Sequence, residues 1–132
     1  MFTVELVTYK GVYKTITAQS INLPTPEGRR GILPNHMPIM LPLTIGVVSI
    51  MEENGRKRYT CSEGVFYFEN NKGTLLADSI EDVDAIDINR AKAAEAKARE
   101  RIKNSDNDLD IDKAQIALLK AINRIKAKES DY

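Results

Sequence analysis

Few side chains in this 132-residue chain have the types and spacing that chemistry requires. His36 is the single histidine, and no cysteine or carboxylate stands at ligand spacing from it, so a zinc-type centre is not expected. Cys61 is the single cysteine. It lies within a strand-like run without an evident histidine partner, which gives no activated nucleophile and no intramolecular disulfide. Asp106, Asp108, Asp110 and Asp112 alternate as calcium ligands do. Their loop lacks the glycine and terminal glutamate of an EF-hand, and the last two carboxylates suit the first turn of a helix. Phosphate-gripping and dinucleotide glycine motifs are missing, as is the GxSxG elbow. No catalytic residue and no metal site is assigned. The sequence reads as a non-enzyme.

Two basic groups remain as binding candidates. Adjacent Arg29 and Arg30 suit an anion or a solvated turn, the turn being the plainer reading. Asp87 and Arg90 open a helical stretch, with Lys97 and Arg101 on the face of Arg90. The plainer reading makes Asp87 an N-cap and Arg90 its ion-pair partner three residues on. Met37, Met40 and Met51 are read as core filling.

The elements that position these residues follow from composition. All seven glycines lie between Gly11 and Gly73, and all five prolines between Pro24 and Pro42. From Thr74 onward alanine, lysine, glutamate and isoleucine dominate, residues that lose little freedom in a helix. A turn-rich β domain over residues 1–84 and a helical domain over 85–132 are expected. Short runs rich in Val, Ile, Thr, Tyr and Phe fall at Phe2–Thr8, Lys14–Leu23, Gly46–Glu53, Arg56–Ser62, Val65–Glu69 and Thr74–Ser79. Asn54-Gly55 predicts a tight hairpin with positive φ, and Asn70–Gly73 a slightly longer hairpin loop. The segment from Thr25 to Pro38 reads as a loop leading into an apolar strand. An N-terminal antiparallel β-sandwich followed by a C-terminal antiparallel helical hairpin results.

In the hairpin, Asp87 opens a first helix that runs past Ile102 and stops near Asn104–Asp108. A second begins around Asp110 and ends near Lys128. Ala91, Ala94, Ala98 and Ile102 form one stripe, and Ile111, Gln115, Leu118, Ile122 and Ile125 the other, flanked by Ala114 and Ala121. Such stripes bury little area, so a weakly held hairpin able to open is expected. The stripe also predicts that Lys113, Lys120 and Arg124 point away from the first helix.

The charge balance, 19 basic against 19 acidic residues, argues against nucleic acid as a partner. Gly31–Met51 is uncharged, but its three prolines, with Asn35 and His36, exclude a membrane helix. The first residues carry no secretory pattern, so a soluble, cytoplasmic protein is expected.

The order of motifs resembles the epsilon subunit of bacterial F-type ATP synthases. Pro24 to Pro38 is similar to that family's PTxxGxxGILPxHxP, Leu76-Ala77-Asp78 to its LAD, and Ile86 to Ala91 to its [IL]DxxRA. The resemblance implies a non-catalytic rotor subunit of the central stalk, peripheral on the cytoplasmic face of the cell membrane. Its partners would be the gamma subunit, the c-ring and, when the hairpin extends, the catalytic head, where it blocks ATP hydrolysis. Glu27, Arg29, Arg30 and His36 would then face gamma or the ring; many family members carry an acidic residue where Arg29 stands. Some members bind ATP as a regulatory ligand, no cofactor being required. Asp87, Arg90 and Ala91 match that motif, with Lys97, Arg101, Arg124, Glu81 and Lys120 as further candidates by position. Without the resemblance, a generic β-sandwich binding module with a helical tail would be the alternative.

Overall fold

The computed structural model describes residues 1–130. Ten strands are followed by a short 3-10 helix and two α-helices. The strands are β1 (Phe2–Thr8), β2 (Gly11–Ala18), β3 (Ser20–Thr25), β4 (Gly28–Ile32), β5 (Ile39–Leu43), β6 (Gly46–Glu52), β7 (Gly55–Cys61), β8 (Gly64–Glu69), β9 (Lys72–Ala77) and β10 (Ile80–Asp82). The 3-10 helix is Val83–Ala85, α1 is Ile88–Asn104 and α2 is Asp108–Glu129. The chain divides into two compact units, Met1–Asp82 and a second beginning at Val83.

In the first unit the strands form two five-stranded sheets, ordered β2-β1-β9-β8-β5 and β10-β7-β6-β3-β4. Strand pairing is antiparallel except between β1 and β9, which run parallel. Alternation decides the faces: Phe2, Val4 and Leu6 of β1 point into the core, while Thr3, Glu5 and Val7 lie on the other side. Phe66, Phe68, Leu75, Ile21, Ile50 and Tyr59 fill the centre, and Phe2 meets Phe68 edge-on at 5.3 Å. The expected sandwich is present.

Four details differ from expectation. Lys14–Leu23 is two strands in different sheets, divided at Gln19, whose N–H bonds Met51 O at 2.7 Å. The buried positions change parity there, from Ile16 and Ala18 to Ile21 and Leu23. The stretch read as a loop contains β4, an edge strand paired with β3. At Asn54-Gly55 only Gly55 takes positive φ (127°), since Glu52 already pairs with Gly55 and the turn is Glu53-Asn54. The next hairpin is shorter than expected: Glu69 pairs with Lys72, and Asn70 and Asn71 alone make the turn with φ of 53° and 59°.

In the second unit Asp87 caps α1, its Oδ1 accepting from the N–H groups of Asn89 and Arg90 at 3.0 and 3.2 Å. Asn107 caps α2 by accepting from Leu109 N–H at 2.9 Å, and the helix begins at Asp108, two residues before the start expected at Asp110. Lys92 near the start of α1 pairs with Glu129 at the end of α2 at 3.7 Å, so the helices run antiparallel. Lys128 Nζ donates to Asp84 O (3.1 Å) and Val83 O (3.4 Å), fastening the end of α2 to the 3-10 helix.

The buried residues of the hairpin correct the sequence reading of α2. Ala91 and Ala98 are buried on α1, and Ala114 and Ala121 on α2, whereas Gln115 is exposed. The contact line is therefore rotated by roughly 60° from the isoleucine stripe. Ile111, Leu118, Ile122 and Ile125 are half-buried at its side. Two alanine lines let the backbones approach closely, which larger side chains at the centre would prevent.

Candidate docking face and basic helical edge

The face of the β2-β1-β9-β8-β5 sheet turned away from the core carries an unbroken apolar row. Val12 pairs with Val7, Val7 with Leu76, Leu76 with Val65, and Val65 with Pro42, so one apolar residue from each of the five strands stands in line. Val12 is 60% exposed and Leu76 39%; Val7 and Val65 are half-buried. Beside them Met40, 70% exposed, pairs with Tyr67, also exposed. Beyond Tyr67 this second row becomes polar, with Thr74 and then Glu5, whose carboxylate pairs with Lys72 at 3.1 Å. Met37, Met40 and Met51 are all exposed, surface residues and not the core filling expected of them. Contiguous exposed apolar area on a polar-rimmed sheet marks an interaction surface.

Glu27, Arg29, Arg30 and His36 occupy three different settings. Glu27 is exposed in the β3–β4 turn, which Thr25 Oγ1 closes by donating to Gly28 O at 2.5 Å. Arg29 is committed to its own sheet: its guanidinium donates to Asn22 Oδ1, to Asn22 O (3.4 Å) and to Val47 O (2.7 Å). Arg30 is exposed on β4 opposite Leu23. The adjacent arginines therefore do not converge on one ligand. His36 is half-buried, its Nδ1 donating to Met37 O at 2.7 Å and its ring meeting Phe68 edge-on at 6.2 Å. Asn71 braces this loop, accepting from Asn35 N–H at 2.8 Å while its amide donates to Met1 O at 2.8 Å.

On the hairpin, Asp87 spends one carboxylate oxygen on the cap, and Arg90 is exposed with no ion pair among the described residues. The expected Asp87–Arg90 ion pair is absent there; a backbone bond replaces it. Ala91 is buried, with its N–H bonding Asp87 O at 3.0 Å, so its methyl serves the helix contact. Arg90, Lys97 and Arg101 lie roughly 80–120° round α1 from the Ala91/Ala98 line. Lys113, Lys120 and Arg124 lie the same roughly 80–120°, in the same rotational sense, from the Ala114/Ala121 line of α2. In antiparallel helices equal rotation puts all six on the same side of the hairpin, opposite the side bridged by Lys92 and Glu129. Lys120 and Arg124 are half-buried there and do not point away from α1 as the isoleucine stripe implied. Glu81 is on β10 in the first unit, where Thr60 Oγ1 donates to its backbone oxygen at 3.5 Å.

Cys61 is buried, and desolvation pushes its thiol up to about 11, against opposing effects of a Gly46 backbone hydrogen bond and the Arg29 charge. Among the described residues no group of three or more His, Cys, Asp and Glu could hold a metal ion. No helix among them is long and apolar enough to cross a membrane.

A five-on-five sandwich with an apolar outer row, followed by an alanine-zipped hairpin, defines a two-part sandwich-and-hairpin protein. The family model for the ATP synthase delta/epsilon chain β-sandwich domain matches residues 1–83, and that for the long alpha-helix domain of the same chain matches residues 84–129. The chain belongs to the ATP synthase delta/epsilon chain family. It is 35% identical over 125 residues to the ATP synthase epsilon chain of Desulforamulus reducens, covering 95% of each chain. It is equally 35% identical over 132 residues to that of Lactobacillus delbrueckii subsp. bulgaricus, covering 95% of this chain and 90% of the relative. Its fold matches a chain in the cryo-EM structure of Euglena gracilis mitochondrial ATP synthase (OSCP/F1/c-ring) with TM-score 0.79 and 20% identity, covering 92% of this chain and 78% of that one. A chain from the Tetrahymena thermophila central stalk/c-ring structure matches with TM-score 0.65 and 16% identity, covering 96% of each.

Proposed function

We propose that this chain is a non-catalytic epsilon-type rotor subunit of an F-type ATP synthase, whose sandwich docks on the gamma subunit and the c-ring. The observation that carries the reading is the apolar row Val12–Val7–Leu76–Val65–Pro42 on an outer sheet face. That row is the gamma-facing surface in this proposal, and Glu27, Arg30 and the His36 loop serve the ring, with Arg29 holding the strand that presents them. Family membership and relatives named as epsilon chains support it. The subunit is then peripheral to the membrane complex on its cytoplasmic face. Capture of the cognate gamma subunit by the full chain tests the reading: binding at micromolar concentration is expected, and failure to bind gamma would leave only a generic sandwich module.

The hairpin is the regulatory part in the same proposal. Small alanine contacts bury little area and suit an element that can undock and extend. Removing residues from 85 onward should raise ATP hydrolysis by the assembled enzyme; an unchanged rate would end the inhibitory role. The shared basic side of Arg90, Lys97, Arg101, Lys120 and Arg124 favours one further reading, ATP as a regulatory ligand of the closed hairpin. Polyphosphate charge suits such an edge, although lysine is a point charge where arginine would grip in a fork. Calorimetry of the full chain and of Arg90→Ala at millimolar ATP decides it, absence of heat with the full chain being fatal.

A further inference from the structure

A groove indents the sandwich unit alongside the middle of the apolar row, and the proposed docking role does not by itself explain its chemistry. Val65, Leu76 and Val7 line it together with Tyr9, and Glu63 and Asp78 add two carboxylates. The three apolar residues are the middle members of the row, register neighbours on β8, β9 and β1, so the groove shares its floor with the row and is not a separate hollow. Its shape depends on Gly64, also in the lining: a Cβ there would overlap Leu76 O, so β8 and β9 approach more closely than any other residue would permit. Glu63 and Asp78 are exposed, and neither makes a side-chain hydrogen bond or ion pair among the described residues. Tyr9 is 81% exposed, with Lys10 Nζ 5.7 Å from its ring centroid.

We propose that this groove receives a lysine or arginine side chain of the protein that docks on the apolar row. Its aliphatic stem lies along Val7, Leu76 and Val65, and its charged head sits between Glu63 and Asp78. The inference rests on the docking reading and specifies the chemistry of one contact within it. Charge complementarity selects the occupant: an apolar side chain would desolvate two carboxylates without return, whereas a basic one pairs with them while covering the apolar floor. Tyr9 supplies an aromatic face for the same cation. Leu76-Ala77-Asp78, singled out in the sequence as a motif, thereby acquires a joint role: Leu76 as floor, Ala77 as core and Asp78 as anion.

The test measures binding of the full chain to its cognate gamma subunit at low and high salt, for the unchanged chain, a Glu63→Gln/Asp78→Asn double variant, and Leu76→Ser. Circular dichroism melts confirm that all three are folded. The double variant should bind about tenfold more weakly at low salt, chiefly through slower association, and should lose most of the salt dependence. Leu76→Ser should weaken binding at both salt concentrations. A double variant with unaltered affinity and salt dependence, beside a weakened Leu76→Ser, would overturn the groove proposal and leave the docking face standing. If Leu76→Ser also binds normally, the docking reading itself falls.

Discussion

Lys14 Nζ donates to Tyr59 Oη at 3.1 Å, joining β2 of one sheet to β7 of the other. Lys14 occupies an inward register position, opposite Leu6, on an edge strand. A charge pointing inward there costs an intruding strand its desolvation, and so guards the edge against pairing with another chain. Tyr59, fully buried, makes the arrangement tolerable by offering a hydroxyl and, at 5.6 Å, its ring.

Tyr59→Phe should therefore destabilise the sandwich by about 1 kcal/mol, the usual cost of one such hydrogen bond. Hydrogen bonding to Tyr59 holds the Lys14 ammonium above its ordinary 10.5, while burial raises the Tyr59 hydroxyl above 10.0 despite the opposing pull of Lys14. Both groups keep their protons longer in the folded chain than in the unfolded one. Their contribution is thus present at neutral pH and declines as pH rises above about 10. Urea midpoints measured at pH 8 and 10.5 should fall for the unchanged chain and fall less for Tyr59→Phe. Equal falls would show that the pair carries no linkage.

Gly64→Ala should cost about 1–3 kcal/mol, because the new methyl meets Leu76 O, a backbone atom that cannot swing aside. Gly28→Ala, at φ 119° but with open space around its Cβ, separates strain from collision. Thermal melts should place Gly64→Ala lower than Gly28→Ala.

Asp87→Ala removes a double acceptor at the start of α1 and should cost about 1 kcal/mol, read as lost helicity and an earlier melt. Asp87→Asn retains a capping oxygen and should leave helicity nearly unchanged. If ATP binds, Asp87→Asn also tells whether the charge, independent of the cap, matters to the nucleotide.

Cys61 should resist a thiol reagent at pH 8 in the folded chain and react fully in denaturant. Its thiolate is disfavoured by burial, with a value raised to about 11, and the sulfur approaches Thr44 O at 3.7 Å. Rapid labelling without denaturant would mean that β7 opens readily.

Much of the architecture was legible because the residues involved act locally. Asp87 caps a helix in any context, and alternation along Phe2–Thr8 marks a face without knowledge of the neighbouring strand. The break at Gln19 was also present in the letters, as the change of parity between Ala18 and Ile21, but propensity alone reads straight through it. Arg29 and Arg30 conceal β4, since an edge strand bonded on one side needs little intrinsic preference. On α2 the large isoleucines drew attention from Ala114 and Ala121, which are buried because close backbone approach favours small side chains. The outer apolar row and its groove depend on register across five strands. No single segment discloses them.

The one parallel pair, β1 with β9, has a bearing on how the chain is made. Thr3 lies beside Lys72 and Val7 beside Leu76, so the first strand waits for a neighbour almost seventy residues downstream. During synthesis β1 and β2 can form their hairpin early, yet the sheet cannot close until β9 has cleared the ribosome. Until then the inner side chains of β1 and the outer valine Val7 are open together, and a nascent chain needs shelter at that stage.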